Sequence, residues 1–162
     1  MQEDNKALAR RWFKEVWNEG KLETIDELLS PNAPLYGLGE SDADVRGPAG
    51  FKPFVHNLRS AFPDIRITIE DMIAEGDKVS LRLDIRGTHK GEGLDVPPTG
   101  KAIRVAAIVT AEIKDGKIVA GWNSWDQLGL LRQLGALGAP RAEEDRFLTA
   151  HPGKTVAGAA TR

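Results

Sequence analysis

The spacing of the apolar residues changes once along the chain, near Pro63, and this change limits the possible folds. Before Pro63, apolar residues recur every three to four positions, which is typical of amphipathic helices. After it, apolar and polar residues alternate, which is typical of strands with one buried face. Helices followed by strands predict an α+β domain, with the helices packed on one face of a curved antiparallel sheet.

Three helices are predicted before Pro63. The first covers residues 5–19 and ends at Gly20, the second is short and ends before Pro31, and the third runs from about Pro48 to Ala61. Each has one apolar stripe that predicts its buried face. The stripes consist of Leu8, Trp12, Phe13, Val16 and Trp17, of Leu22, Ile25, Leu28 and Leu29, and of Phe51, Phe54, Val55, Leu58 and Phe62.

At least four antiparallel strands are predicted after Pro63, followed by a short helix from about Leu128 to Leu137. The Asp115-Gly116 pair is a strong signal for a two-residue hairpin turn. Residues 31–47 are predicted to form a loop with one short strand around Leu35 and Tyr36. The alternating runs are Ile65, Ile67 and Ile69, then Val79, Leu81, Leu83 and Ile85, then Ile103, Val105, Ala107, Val109 and Ala111, and finally Ile118, Ala120 and Trp122.

The length of 162 residues fits one domain, which we place at residues 1–140. After Gly138-Ala139-Pro140 the apolar pattern fades. We therefore expect residues 141–162 to form a C-terminal tail that is partly disordered or packed on a partner subunit.

The composition excludes several classes of function. Lys and Arg total 22 against 24 Asp and Glu, so nothing indicates a nucleic-acid partner. The chain has no cysteine, and none of its histidines (His56, His89 and His151) are three or four positions apart, so no metal site is predicted. No apolar stretch approaches 18 residues, so we expect no membrane span and a soluble cytoplasmic protein.

Asp126 is the first candidate for chemistry. If Lys114 pairs with Lys117 across the hairpin, Ala111 faces Ala120, Val109 faces Trp122 and Val105 faces Asp126. This register predicts that Asp126 lies on the apolar face beside Trp122, where loss of hydration would raise its pKa toward that of a general acid or base. The alternative is that Asp126 caps the final helix.

His89 is the second candidate. It has the parity of the apolar residues of its strand and opens a long Gly- and Pro-rich segment that extends to Lys101. A segment of this length in a small domain predicts a lid that borders a cavity. The alternative is an exposed loop histidine.

The aromatic residues Phe13 and Trp17 lie on the stripe of the first helix and are core residues on the simpler interpretation. On the other interpretation they line a pocket for a flat apolar ligand, together with Trp122 and Tyr36.

Three stretches of the chain resemble the SnoaL-like polyketide cyclase, or ester cyclase, family of the NTF2-like superfamily. They are Ala61-Phe62-Pro63-Asp64-Ile65 leading to residues 74–79, Gly87-Thr88-His89-Lys90-Gly91 preceding residues 97–101, and Asp115-Gly116-Lys117-Ile118 leading to Trp122, Trp125-Asp126 and residues 128–135. The resemblance covers about residues 5–137. It implies an NTF2-like cone, an apolar cavity, no cofactor, and a dimer built on the sheet.

The resemblance also implies an enzyme that closes a ring of a polyketide by an intramolecular aldol reaction. Asp126 occupies the place of the family's acid/base near the end of the last strand, and His89 lies in a Gly-Thr-His-x-Gly motif that would face the cavity mouth. The first hypothesis is thus a cofactor-independent enzyme acting on an apolar, carbonyl-bearing small molecule. A hydrolase or isomerase in which Asp126 activates water, and a non-catalytic small-molecule-binding protein, are the alternatives.

Overall fold

Helices come first in the chain and strands after them, as the change of period predicts. The computed structural model describes residues 1–39 and 45–137, so the predicted tail, residues 141–162, lies outside the described residues. The α+β class is confirmed, and so is the short strand predicted around Leu35 and Tyr36, which comes before the third helix. In chain order the elements are α1 (Gln2–Trp12), α2 (Glu23–Leu28), β1 (Leu35–Tyr36), α3 (Gly47–Ala61), β2 (Arg66–Glu75), β3 (Lys78–Thr88), β4 (Ala102–Lys114), β5 (Lys117–Trp125) and α4 (Gln127–Leu134).

Helix α1 continues into a π-helical segment, Phe13–Asn18, and the two together bury one aromatic face. At the end of this segment Asn18 forms two hydrogen bonds with the backbone of Ile67. Its Nδ2 donates to the carbonyl oxygen at 3.0 Å and its Oδ1 accepts from the amide at 2.8 Å. These bonds fix the helix against β2, so Phe13 and Trp17 face the sheet.

The five strands form one sheet in the order β1-β5-β4-β3-β2. Strands β2 to β5 are antiparallel neighbours, whereas β1 pairs parallel to β5. The predicted hairpin is confirmed, because Lys114 pairs with Lys117. Asp115 and Gly116 have φ values of 50° and 74°, and positive φ at both central residues is what a type I′ turn requires.

Strand β5 contains a bulge at Val119 that the predicted register did not include. Ile113 pairs with Ile118 as predicted, but Glu112 then pairs with Ala120, which leaves Val119 as an extra residue. An insertion of one residue exchanges the two faces of a strand. Beyond the bulge, Val109 therefore pairs with Asn123. The predicted pairings of Ala111, Val109 and Val105 with Ala120, Trp122 and Asp126 are wrong.

The inner face of the sheet is covered by α1, the π-helical segment and α3, and α4 packs at the start of β4. The side chain of Gln133 in α4 forms two hydrogen bonds with the backbone of Arg104, at 2.8 and 2.9 Å. These bonds hold Leu130 and Leu134 against the core, where both are buried. Helix α4 thus covers the start of β4, which extends past the end of β5.

Candidate ligand-binding site

An apolar cavity of about 110 Å³ lies between the inner face of the sheet and the helices. Its wall includes the inward-facing residues of β3 and β4, the aromatic residues of α1 and α3, and Leu130 of α4. Among the residues that the structure describes, no Asp, Glu, His, Lys or Arg belongs to this wall. Asn123, Trp12, Trp17 and Trp125 are the wall residues whose side chains carry a hydrogen-bonding atom.

Asn123 faces the cavity because of the bulge, and β1 holds its side chain in place. Its Nδ2 donates a hydrogen bond of 2.9 Å to the carbonyl oxygen of Tyr36. The next residue, Gly37, has a φ of 76°, and a Cβ there would lie 1.8 Å from the Asn123 carbonyl oxygen. Glycine is therefore needed for β1 to approach this part of β5 so closely.

Trp125 is the second inward-facing polar residue of β5 and pairs with Ala107. Its Nε1 atom is buried and makes no hydrogen bond within the described chain. A buried donor without an acceptor costs about 1–3 kcal/mol.

Neither Asn123 nor Trp125 is among the predicted site residues, although the sequence contains a signal for one of them. Trp122 and Trp125 are three positions apart, so in a regular strand they face opposite sides and only one of them can line the cavity.

Asp126 does not lie on the cavity wall, and its predicted position beside Trp122 on the apolar face is wrong. The side chain is exposed and caps α4, with Oδ1 accepting a hydrogen bond of 2.8 Å from the Gly129 amide. Asp126 therefore does not lose its hydration as predicted, and the alternative interpretation as a helix cap is confirmed. Asp126 lies between Trp125 and Leu130 in the chain, and both of these residues line the cavity. Asp126 is therefore close to the cavity but outside its wall.

His89 is fully buried, so the alternative of an exposed loop histidine is wrong. Its Nδ1 lies 3.1 Å from the Thr99 Oγ1 and accepts a hydrogen bond of 3.3 Å from the Thr99 amide. Its ring packs against Phe62, 5.4 Å between centroids, and Phe62 lines the cavity whereas His89 does not. The expected position of His89 at the cavity mouth is also wrong, and the side chain ties the two ends of the β3–β4 segment together.

The β3–β4 segment packs on the end of α3 and not over the cavity. The amides of Lys90 and Gly91 both donate to the carbonyl oxygen of Ala61 at 3.1 Å. A Cβ at Gly91 would lie 1.9 Å from the Ser60 carbonyl oxygen, so this contact is close. No residue of the segment belongs to the cavity wall, and the predicted lid position is wrong.

Tyr36 and Trp122 lie on the outer face of the sheet, so their predicted place in the pocket is wrong. Their rings stack on each other with centroids 6.0 Å apart, and the Lys78 Nζ lies 5.7 Å from the Trp122 ring. Both side chains are more than one third exposed. The bulge turns Trp122 outward, and parallel pairing with β5 places Tyr36 beside it.

Phe13 and Trp17 do lie on the cavity wall. The Trp17 ring meets Phe51 and Phe54 edge-on, with centroids 6.0 and 6.1 Å apart. This arrangement presents flat apolar surfaces to the cavity. The role of Phe13 and Trp17 in binding a ligand stays a prediction.

Within residues 1–39 and 45–137, no three His, Asp or Glu side chains converge as metal ligands would. None of the helices in that part of the chain has the length and apolar character to cross a membrane.

Comparison with known proteins identifies the family. A family model described as SnoaL-like polyketide cyclase matches residues 7–134, which is most of the chain. The chain belongs to this family. The aklanonic acid methyl ester cyclase DnrD of Streptomyces peucetius is 32% identical over 130 residues, covering 79% of this chain and 88% of the relative. The nogalonic acid methyl ester cyclase of Streptomyces nogalater is 30% identical over 121 residues, covering 74% and 90%.

Solved structures of this SnoaL-like chain's relatives have the same architecture. TsrD from Streptomyces laurentii superposes with a TM-score of 0.74 at 31% identity, covering 85% of this chain and 98% of TsrD. IdmH from Streptomyces antibioticus gives a TM-score of 0.69 at 32% identity, covering 81% and 98%. The predicted NTF2-like fold, with helices packed on a curved sheet, is confirmed, and the sheet is open rather than closed into a barrel.

Proposed function

We propose that this SnoaL-like protein takes an apolar, carbonyl-bearing small molecule into the cone and promotes a ring closure or a related isomerisation of it. The observation that carries the proposal is the composition of the cavity wall, which is apolar except for a few hydrogen-bonding groups. Such a wall selects a hydrophobic ring system and orients it through its oxygen atoms. The names of the relatives, which are cyclases of polyketide methyl esters, support the reaction type.

The chain's own residues would contribute orientation and polar contacts. In an aldol closure an α-carbon loses a proton and attacks a carbonyl carbon, and the carbonyl oxygen takes up a proton to become a hydroxyl, so the product is an isomer. Aromatic walls that hold one conformer of the substrate lower the entropic barrier to such an intramolecular step. Donors aimed at the carbonyl oxygen stabilise the negative charge that develops there.

Asp126 is the proposed proton acceptor for this step. It is the ionisable residue that follows Trp125 directly, at the end of the cavity. Since it is exposed, we infer that a substrate long enough to project past Trp125 would bring its acidic C–H to the carboxylate. The substitution Asp126→Asn tests the role of proton acceptor, because an asparagine side chain can still cap α4 but cannot take up a proton.

The decisive experiment incubates the purified protein with aklanonic acid methyl ester and follows the products by liquid chromatography and mass spectrometry. We expect an isomer of unchanged mass but different retention time, formed faster than without protein. Asp126→Asn should slow its formation by about 100-fold or more, the usual contribution of a general base. Turnover at the wild-type rate in Asp126→Asn would assign the proton transfer to another group.

A second candidate function, binding without turnover, is favoured by one specific observation. No ionisable side chain of the described residues lies on the cavity wall. Quenching of tryptophan fluorescence reports binding directly, because Trp12, Trp17 and Trp125 line the cavity. Saturable quenching by the ester without any isomer formed would support a binding protein and contradict the cyclase.

A further inference from the structure

Two buried side-chain nitrogens make no hydrogen bond in the described part of the chain, His89 Nε2 and Trp125 Nε1. Trp125 belongs to the cavity wall and His89 does not. We infer that Trp125 Nε1–H donates a hydrogen bond to an oxygen of the bound ligand, and that this contact selects ketones over hydrocarbons of the same shape. The inference rests on the proposed function, because it requires the ligand to occupy the cavity.

The chemistry of the indole group supports this assignment. An indole Nε1–H can only donate, and a buried tryptophan usually finds an acceptor for it. The neighbouring inward-facing residues of β4 and β5 are almost all aliphatic and provide no side-chain oxygen. Asn123 is the exception: its Nδ2 donates to the Tyr36 carbonyl oxygen, and its Oδ1 does not accept a hydrogen bond from Trp125.

A water molecule is a poor substitute for a ligand oxygen at this position. A buried water needs two to four polar partners, and the apolar wall around Trp125 supplies few. A ketone needs only one donor, and its ring system gains from contact with the apolar wall. The chemistry of the wall therefore favours an aryl ketone or a quinone, with its oxygen toward the end of β5.

The test compares two probes of nearly equal shape, 1-indanone and indane, which differ in a single carbonyl oxygen. Both are flat molecules of two fused rings and nearly equal volume, so their contacts with an apolar wall are alike. Dissociation constants for each are measured by titration calorimetry with the wild-type protein and with Trp125→Phe. We expect Trp125→Phe to weaken 1-indanone binding about tenfold more than it weakens indane binding. An equal effect on the two probes would overturn the inference.

Trp12→Phe is the matched control, because it removes the same atoms from the opposite wall of the cavity. The Trp12 ring stacks on Phe51 with centroids 5.3 Å apart. We expect this variant to change the affinities for both probes by the same factor. A selective loss of 1-indanone binding in Trp12→Phe, but not in Trp125→Phe, would assign the hydrogen bond to Trp12 and overturn the inference for Trp125.

A second measurement uses the wild-type chain, so it stands even if Trp125→Phe does not fold. The four tryptophans give four indole N–H signals in a ¹H–¹⁵N spectrum, which single Trp→Phe variants at the other positions assign by elimination. We expect 1-indanone, and not indane, to shift the Trp125 signal downfield. Trp122, on the outer face, should be unaffected and serves as internal control. An unshifted Trp125 signal at saturating 1-indanone would overturn the inference.

Failure of this inference can be told apart from failure of the proposed function. If both probes bind the wild-type protein equally well and Trp125→Phe does not separate them, the cavity binds ligands but Trp125 does not select for oxygen. If neither probe binds the wild-type protein at millimolar concentration, both the inference and the proposed cavity function are overturned.

Discussion

Asp126 shows how one side chain can match two different expectations. Its position after the last strand matches the place of the acid/base in the family resemblance, and the same position is the N-cap of α4. The structure supports the cap directly through the hydrogen bond of 2.8 Å to Gly129. A catalytic role has to be compatible with that bond, which occupies one of the two carboxylate oxygens.

We expect Asp126→Ala to lower the free energy of unfolding by about 1 kcal/mol, the usual cost of losing an N-cap side chain. Asp126→Asn should lie within about 0.5 kcal/mol of the wild-type protein, because asparagine is an equally good cap. Urea unfolding followed by tryptophan fluorescence measures both values. Equal stability of the Ala and Asn variants would contradict the cap.

Asp64 provides a pH-dependent contribution to stability. Its carboxylate accepts hydrogen bonds of 2.7 and 2.8 Å from the amide and the hydroxyl of Thr88. These hydrogen bonds lower the pKa of Asp64 from its ordinary value of 3.8, and the bond from the Thr88 amide has the larger effect. Because the folded protein has the lower pKa, the contribution is complete above about pH 4 and is lost as the pH falls through the folded-state value.

Asp64→Asn should therefore reduce the free energy of unfolding at pH 7 and flatten its decline between pH 4.5 and pH 2.5. Urea unfolding at a series of pH values measures the slope. Asp77→Asn is the control, since it removes an exposed carboxylate from the turn between β2 and β3. If Asp64→Asn and the wild-type protein lose stability in parallel over this range, the hydrogen bonds to Thr88 do not couple folding to pH.

At the scale of the elements, the contact between β1 and β5 shapes the site. Tyr36 accepts the hydrogen bond from Asn123, and Gly37 allows the backbone to pass over the Asn123 carbonyl group. Strand β1 has only two residues, so it depends on β5 for its position. The same contact fixes the side chain that the bulge turns inward.

We expect Gly37→Ala to destabilise the protein by more than about 3 kcal/mol, because it combines an unfavourable φ with a steric clash. Gly116→Ala is a close control. Gly116 has a φ of 74°, against 76° at Gly37, but open space around the site of its missing Cβ. It should cost only about 1–2 kcal/mol, the backbone contribution alone. Thermal unfolding of both variants measures the difference, and equal losses would contradict the clash.

The order and type of the elements could be predicted from the sequence because each element buries one stripe of apolar residues. The spacing of such a stripe differs between a helix and a strand. The hairpin at Asp115-Gly116 could be predicted because its turn needs two residues with positive φ. The bulge at Val119 could not, since no residue there is restricted to an unusual conformation. The faces of Trp122, Asn123 and Trp125 depend on that bulge, so this part of the candidate site was misplaced. His89 was misplaced for a different reason, because the β3–β4 segment packs on the end of α3.

At the scale of the whole molecule, the outer face of the sheet is the surface on which we propose a homodimer. Asp84 accepts hydrogen bonds of 2.7 and 2.6 Å from the guanidinium groups of Arg86 and Arg104 there. These hydrogen bonds lower the pKa of Asp84, and the bond from Arg104 has the larger effect. Ile108 lies on the same face and is 56% exposed. An apolar centre beside paired charges is suited to a self-complementary contact.

We expect the wild-type protein to have about twice the chain mass of 17.6 kDa in light scattering at micromolar concentration. Ile108→Lys should reduce the mass to that of one chain, because it replaces the exposed apolar centre of the proposed contact with a charge that the contact would bury. Leu128→Lys, an exposed leucine in α4, should leave the mass unchanged. A wild-type protein of single-chain mass would contradict the dimer.

The bulge at Val119 also has a consequence for how this protein can diversify. Loss of the codon for Val119 would remove the bulge and leave every later pairing unchanged, because Val119 has no partner in β4. A codon gained between Gly121 and Trp122 would instead place Trp122 opposite Val109 and Ser124 opposite Ala107. The cavity would then exchange Asn123 and Trp125 for Trp122 and Ser124 in one genetic event, while every amino acid beyond the insertion stayed the same. Substitutions alone would need several steps to alter the wall as much. Length variation in this short stretch is thus a direct route from one ligand preference to another on an unchanged scaffold.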